Sequence, residues 1–270
     1  MKLRILALLC ALTLMATPAF AGTVTVKGST TVLPYMQKAA EVFMAQHPGV
    51  KIEISGGGSS NGAKALIDGT TDIAMMSRDM KDKEKDAATS NGRAPVQFVV
   101  AYDCITPVVN HWNSVSDLSA EQLAEIYSGK ATNWKDVGGK SGQVVVISRD
   151  TSSGTYDCWK DKVMEGARVF PGALLQASNG AVVQAVAKNK FAIGYVGLAY
   201  VDANLLKPLK VDGVMASVET ALNHSYPISR GLNLYTPGEP KGDAKDLIDF
   251  MMSPAGQKLA ADVGFIPVKQ

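Results

Sequence analysis

The chain has 270 residues with 27 Lys and Arg, 25 Asp and Glu and 46% hydrophobic residues, enough for one large domain or two lobes of roughly 100–150 residues each. Two of the basic residues, Lys2 and Arg4, precede an apolar run from Ile5 to Met15 and the small-x-small site Ala19-Phe20-Ala21, which reads as an export leader over residues 1–21 cleaved after Ala21. The remaining 25 basic residues match the 25 acidic ones, and a neutral chain favours neither nucleic acid nor an anionic membrane surface, since either would call for a basic stripe.

No later run reaches the roughly 18 apolar residues of a membrane span. Cys10 lies inside the leader's apolar region and is not placed as a lipid anchor. Cys104 and Cys158 remain, in a compartment where disulfides persist: they either bridge or stand as two buried apolar thiols. No CxxC or Cys/His spacing suggests zinc, and no cluster suggests a metal, a nucleotide or a redox cofactor.

In chain order, Thr23 to Val26 reads as a strand. Leu33, Met36, Ala40 and Phe43 then repeat at helical spacing, with Pro34 in the first turn. Val50, Ile52 and Ile54 alternate as a second strand, a short helix runs from about Gly62 to Ile67 with Gly69 ending it, and Asp72 to Met76 forms a third strand. Lys81 to Lys85 reads as a solvated helix face. Val96 to Ala101 and Ile105 to Val109 are two β-rich runs parted by Tyr102-Asp103-Cys104, a lobe boundary. Ser119-Ala120-Glu121-Gln122 is a capping box whose helix stops at Gly129. Strands at Val144 to Ile147, Phe191 to Val196 and Ile228 to Tyr235 alternate with helices after Thr155, from Ala181 to Ala187, and from Asp243 to Val263 with a break at Ser253-Pro254. The alternation predicts an α/β protein.

Three segments share one design of strand, glycine-and-hydroxyl turn and helix start: Gly28-Ser29-Thr30-Thr31, Gly56-Gly57-Gly58-Ser59-Ser60-Asn61-Gly62 and Ser152-Ser153-Gly154-Thr155. Taken singly, each is an ordinary cap or turn. Together, at the carboxyl ends of strands, their free N–H groups and hydroxyls suit a small oxyanion. Arg149 adds a planar charged fork, and Ser77-Arg78-Asp79 ends another strand.

These blocks, with Asp72-Ile73-Ala74, Gly129-Lys130 and Thr132-Asn133-Trp134 between them, resemble the phosphate-binding proteins of bacterial phosphate ABC importers, in order and over nearly all of the chain after the leader. The resemblance implies a type II periplasmic-binding fold. Its two α/β lobes, each a mixed sheet flanked by helices, are expected at residues 22–102 with 224–270, and at 103–223, joined by two crossing segments. It implies a periplasmic protein that holds inorganic phosphate without water and meets membrane permease subunits; a monomer is the default state. By position it puts the phosphate contacts on Thr30, Thr31, Ser59, Ser77, Arg149, Ser153, Gly154 and Thr155. Many members carry an aspartate after the third strand to accept a phosphate proton; here Ser77 and then Arg78 stand there. Asp103 is the first candidate for that acceptor, or a support of the hinge, with Asp150 and Asp79 as alternatives. Ser178 and Asn179, at another helix start, could face the cleft, with a helix cap as the preferred reading.

Two other readings compete. The same fold could take sulfate, molybdate or tungstate. Alternatively, Gly58-Ser59-Ser60-Asn61-Gly62 satisfies the G-x-S-x-G nucleophile pattern of a secreted serine hydrolase or phosphatase, which would need a base from His47, His111 or His224.

Overall fold

The computed structural model describes residues 22–268; the leader expected over 1–21 lies outside the described residues. The first half opens with β1 (Thr23–Gly28), α1 (Leu33–Gln46), β2 (Lys51–Ser55), α2 (Ser59–Asp68), β3 (Ile73–Met76) and α3 (Asp82–Ser90). These are β–α–β steps: β1 pairs in parallel with both β2 and β3. Parallel pairing places the turns after all three strands at one edge of the sheet.

β4 (Pro95–Val109) follows as a single strand, not the two runs expected from sequence. Tyr102 and Asp103 stay extended because partners wait for them: Tyr102 exchanges backbone hydrogen bonds with Ile266, and Asp103 faces Arg230 on the neighbouring strand. The second half then adds β5 (Asp117–Leu118), α4 (Ala120–Ser128), β6 (Val145–Arg149), α5 (Gly154–Lys162), β7 (Leu174–Gln176), α6 (Asn179–Ala187), β8 (Ala192–Gly197), β9 (Lys207–Pro208), β10 (Lys210–Val211) and α7 (Val218–Leu222). β11 (Ser229–Pro237), α8 (Gly242–Met252) and α9 (Pro254–Val263) return to the first half, where Ser253 caps the helix that Pro254 begins.

The strand order is β2-β1-β3-β11-β4-β8-β6-β7, with β9 beside β4. β4 serves both halves: residues 95–104 pair antiparallel with β11, whereas Ile105 to Val109 pair antiparallel with β8. Each half has its own core. One gathers Val26, Met36, Phe43, Ile73, Leu232 and Leu247; the other gathers Tyr127, Trp134, Trp159 and Tyr195, where Trp159 stacks on Tyr195 at 4.2 Å.

An ionic cluster ties the two together. Arg78, just after β3, donates to both carboxylate oxygens of Glu84 at 2.8 Å and to Asp157 of α5 at 2.7 Å. Lys81 reaches the same aspartate at 3.0 Å. Burial alone would raise the Glu84 carboxyl, but hydrogen bonds from Arg78 and the Lys81 N–H outweigh it and hold Glu84 below its usual value.

Cys104 and Cys158 are free thiols, so the bridge considered from sequence is not formed. Cys104 is buried in the second core, while Cys158 turns its thiol toward the Ser77 carbonyl at 3.5 Å. Burial pushes both thiols up, Cys104 to about 12, which suppresses the thiolate that oxidation requires.

Two stability measurements follow. Reductant will leave the unfolding midpoint of the protein unchanged; a bridge would have contributed about 2–4 kcal/mol, so a clear drop on reduction contradicts the free-thiol assignment. Because the folded Glu84 value lies below the unfolded one, its contribution is complete above about pH 4.3 and is lost as pH falls through the folded value. Glu84→Gln will therefore cost about 1–2 kcal/mol at neutral pH, with a gap from the parent protein that narrows in acid. A gap independent of pH contradicts this role.

Candidate functional site

The carboxyl ends of β1, β3 and β6 meet the starts of α1, α2, α5 and α6. Backbone chemistry brings them that close. Gly28 has φ +135°, and a Cβ there would run into the Met75 carbonyl; the glycine lets β1 turn directly over β3. Ser29 then accepts from the N–H groups of Thr31 (3.1 Å) and Val32 (3.4 Å), closing the turn that leads into α1. Ser153 caps α5 by accepting from Thr155 and Tyr156 at 3.2 and 3.3 Å. α2 starts at Ser59, three residues earlier than the sequence pattern suggests, because Gly58 at φ 101° supplies the non-helical N-cap. A Cβ on Gly154 would strike the Ser59 hydroxyl and lie 2.8 Å from that of Ser77, so only glycine lets α5 approach α2 and β3 here.

Arg149 lies at the centre, with 1% of its surface exposed. Its Nε donates to the Gln176 carbonyl at 3.0 Å, and its Nη2 donates to the Ala177 carbonyl at 3.1 Å and Thr30 Oγ1 at 3.2 Å. Nη1 is buried with no partner at all. No carboxylate forms an ion pair with this guanidinium among the described residues; the neighbouring Asp150 accepts instead from Ser152. Burial pushes Arg149 below its ordinary pKa, the signature of a cation that lacks a counter-charge.

A second guanidinium supports the hydroxyls. Arg230 of β11 pairs through Nε (3.1 Å) and Nη2 (2.7 Å) with Asp103 Oδ2. Its Nη1 donates to Thr155 Oγ1 at 2.9 Å and to the Ser77 carbonyl at 3.1 Å, and Nη2 also approaches Thr31 Oγ1 at 3.5 Å. Asn179 is fully buried; its Oδ1 accepts from Gly197 N, which fixes the amide so that Nδ2 donates to Thr31 Oγ1 at 3.1 Å and Thr30 Oγ1 at 3.4 Å. Thr31 and Thr155 hydroxyls, from opposite halves of the molecule, meet at 3.0 Å.

The eight residues singled out from sequence, Thr30, Thr31, Ser59, Ser77, Arg149, Ser153, Gly154 and Thr155, thus converge on one place. Of the two roles expected for Asp103, the geometry matches the support: its Oδ1 accepts from Leu198 N at 2.8 Å and its Oδ2 accepts from Arg230. Burial pushes the Asp103 carboxyl up, and Arg230 pulls it partly back. Asp79 is likewise engaged, accepting from Gln97 and Asn233. Arg78 belongs to the ionic cluster beside the site. Ser178 does cap α6, but Asn179 beside it faces the threonines. Arg230 was missed entirely; its only sequence signal is a single cation between Ser229 and Gly231 in the strand Ser229–Pro237. Ser59 hydrogen-bonds to Ser77, accepting from its N–H at 3.0 Å, and no histidine is among its partners in the described residues.

Comparison with known proteins agrees with this geometry. A model of the PBP superfamily domain matches residues 16–255. The phosphate-binding protein PstS of Bacillus subtilis (strain 168) is 32% identical over 248 residues, covering 92% of this chain and 81% of its own. That of Staphylococcus saprophyticus is 36% identical over 252 residues, covering 88% and 78%. Among solved structures, one from Clostridium perfringens, described as a phosphate ABC transporter substrate-binding protein with bound phosphate, superposes with a TM-score of 0.86 at 37% identity, covering 92% of this chain and 100% of that one. An ABC-type phosphate transport receptor from Vibrio cholerae gives 0.74 at 31% identity, covering 90% and 99%. With two α/β halves closed over a buried cation and relatives of this similarity, the chain belongs to the PBP superfamily and, within it, to the family of the PstS proteins.

Proposed function

We propose that this protein captures inorganic phosphate between its two lobes in the periplasm and delivers it to the membrane permease of an ABC importer. The observation that carries the reading is the buried Arg149, whose Nη1 has an N–H group to spend and no acceptor to spend it on. A buried, unpaired charge costs several kcal/mol, and a tetrahedral anion between the starts of α2 and α5 relieves that cost. The names of the relatives point the same way. In this reading Thr30, Thr31, Ser59, Ser77, Ser153, Gly154 and Thr155 surround the ion with hydroxyls and backbone N–H groups, which act as hydrogen-bond partners and not as nucleophiles.

The lobes are residues 22–102 with 224–270, and 103–223, and they pivot where β4 and the approach to β11 cross between them. The Arg78–Asp157 contact and the donation of Ser60 N to the Ser152 carbonyl at 3.0 Å then hold the lobes shut. The leader read over residues 1–21 supports export, and among the described residues no helix is long and apolar enough to cross a membrane. The protein would meet the permease as a monomer, its energy supplied by other subunits.

Arg149→Met tests the reading with two signs at once. Calorimetry should show phosphate affinity reduced by at least about 100-fold, as expected when one partner of a desolvated charge contact is truncated. The ligand-free variant should unfold at the same or a higher temperature than the parent, because an uncompensated charge has been replaced by an apolar side chain of similar length. Unchanged affinity, or a large loss of stability without ligand, contradicts it.

A further inference from the structure

The strands that cross between the lobes have two faces. Asp103 pairs in register with Arg230, and the Arg230 side chain reaches Thr155 and Thr31 on the cleft side. Side chains alternate along a strand and stay together across a register pair, so Tyr102 and Gly231, which also pair in register, are turned to the opposite face. A cavity of about 320 Å³ lies there, behind the hinge.

Its walls come from different lobes. Ala221 and Leu222 of α7 form one side, and Ala221 packs into the second core. Tyr102, Ser229 and Gly231 of the crossing strands form the other, and Tyr102 is tied to the first lobe by its paired backbone hydrogen bonds with Ile266. Tyr102 and Leu222 leave 40% and 41% of their surfaces exposed, so two large apolar groups border the space without closing it. Gly231 contributes no side chain to fill it. The backbone does not demand a glycine: φ lies outside the left-handed region, and an added Cβ would meet Asn233 at 3.4 Å and Val99 at 3.5 Å, ordinary contact distances.

On the cleft side the lobes touch: Ser60 N donates to the Ser152 carbonyl at 3.0 Å, and Ser152 Oγ donates to that of Gly57 at 2.9 Å. Points on opposite sides of a pivot move in opposite senses, so opening the cleft carries Leu222 toward Tyr102 and narrows the cavity, while closing it restores the space. Resting on the phosphate reading and the lobe limits above, we propose that the space left by Gly231 between Tyr102 and Leu222 sets phosphate affinity through the balance of open and closed forms. These are positioning residues, which act on the ligand only through the lobes. An apolar side chain that fits the cavity is buried in the closed form and crowded out in the open one, and both effects favour closure. A closed form that is more populated before the ligand arrives gives tighter binding. Glycine at 231 leaves the lobes free to open, as release to a permease requires.

Calorimetry with inorganic phosphate, and small-angle scattering without it, on the parent chain and on Gly231→Val and Leu222→Trp test this. The two variants fill the cavity from opposite walls, and the exposed position of Leu222 keeps the test open should Gly231→Val fail to fold. Each should tighten phosphate binding by about 3- to 10-fold, the range supplied by burying one or two methyl groups in only one of two states. The gain should come mostly from slower dissociation, and the ligand-free radius of gyration should fall toward the phosphate-bound value of the parent. Combined, the variants should give less than the product of their separate effects, because they compete for one space. Affinity that is unchanged or weaker in the folded variants, with a ligand-free radius of gyration that does not move, overturns the assignment while leaving phosphate capture intact. A parent chain that binds no phosphate overturns the functional reading instead, and the scattering of the ligand-free variants still decides the hinge coupling.

Discussion

One uncompensated guanidinium sets the terms for the rest of the molecule. Arg149 is held at the end of β6, and its neutral partners on β7 and the loop beyond are backbone carbonyls, which orient the group without cancelling its charge. Desolvating a cation in that way is unfavourable by several kcal/mol unless something negative shares the space. The fold tolerates the cost by aiming helix starts, glycines and hydroxyls at the same point. Each of these features is ordinary by itself; their convergence from four helices is what an anion site requires.

Arg230 shows the opposite solution a short distance away. It too is buried, but Asp103 neutralises it through two hydrogen bonds, and the pair is free to act as scaffolding. From β4 and β11, where the chain passes between the halves, it reaches the Thr155 hydroxyl and the Ser77 carbonyl. The crossing strands and the ligand-facing groups are therefore mechanically connected. Gly197 completes the arrangement: a Cβ there would lie 2.9 Å from Asp103 Oδ2 and 3.0 Å from Thr31 Cγ2, so the glycine is the space in which the carboxylate sits. Two buried arginines with opposite treatment divide the work, one kept hungry for a ligand and one kept satisfied to hold the donors still.

Most of the architecture was legible in the sequence because its elements carry strong local signals. The alternation of Val50, Ile52 and Ile54, the capping box at Ser119, and the Ser253-Pro254 break all correspond to observed boundaries. The glycine-and-hydroxyl turns were readable for the same reason, since their chemistry is contained in a few consecutive residues. What escaped was set by distant partners. The continuity of β4 through Tyr102-Asp103-Cys104 depends on Ile266 and Arg230, more than a hundred residues away. Asn179 could cap its helix or face the cleft on local grounds, and what decides between them is Thr30 and Thr31 from the other end of the chain. The state of the two cysteines likewise follows from the direction in which each side chain packs, which their spacing does not encode.

The central claim is that Arg149 is incomplete without an anion. A high-resolution crystal structure grown with inorganic phosphate measures this directly. The account predicts a tetrahedral ion with no intervening water, one of its oxygens about 2.7–2.9 Å from Arg149 Nη1. Ordered water alone against that nitrogen, or an ion bound elsewhere on the surface, would contradict it.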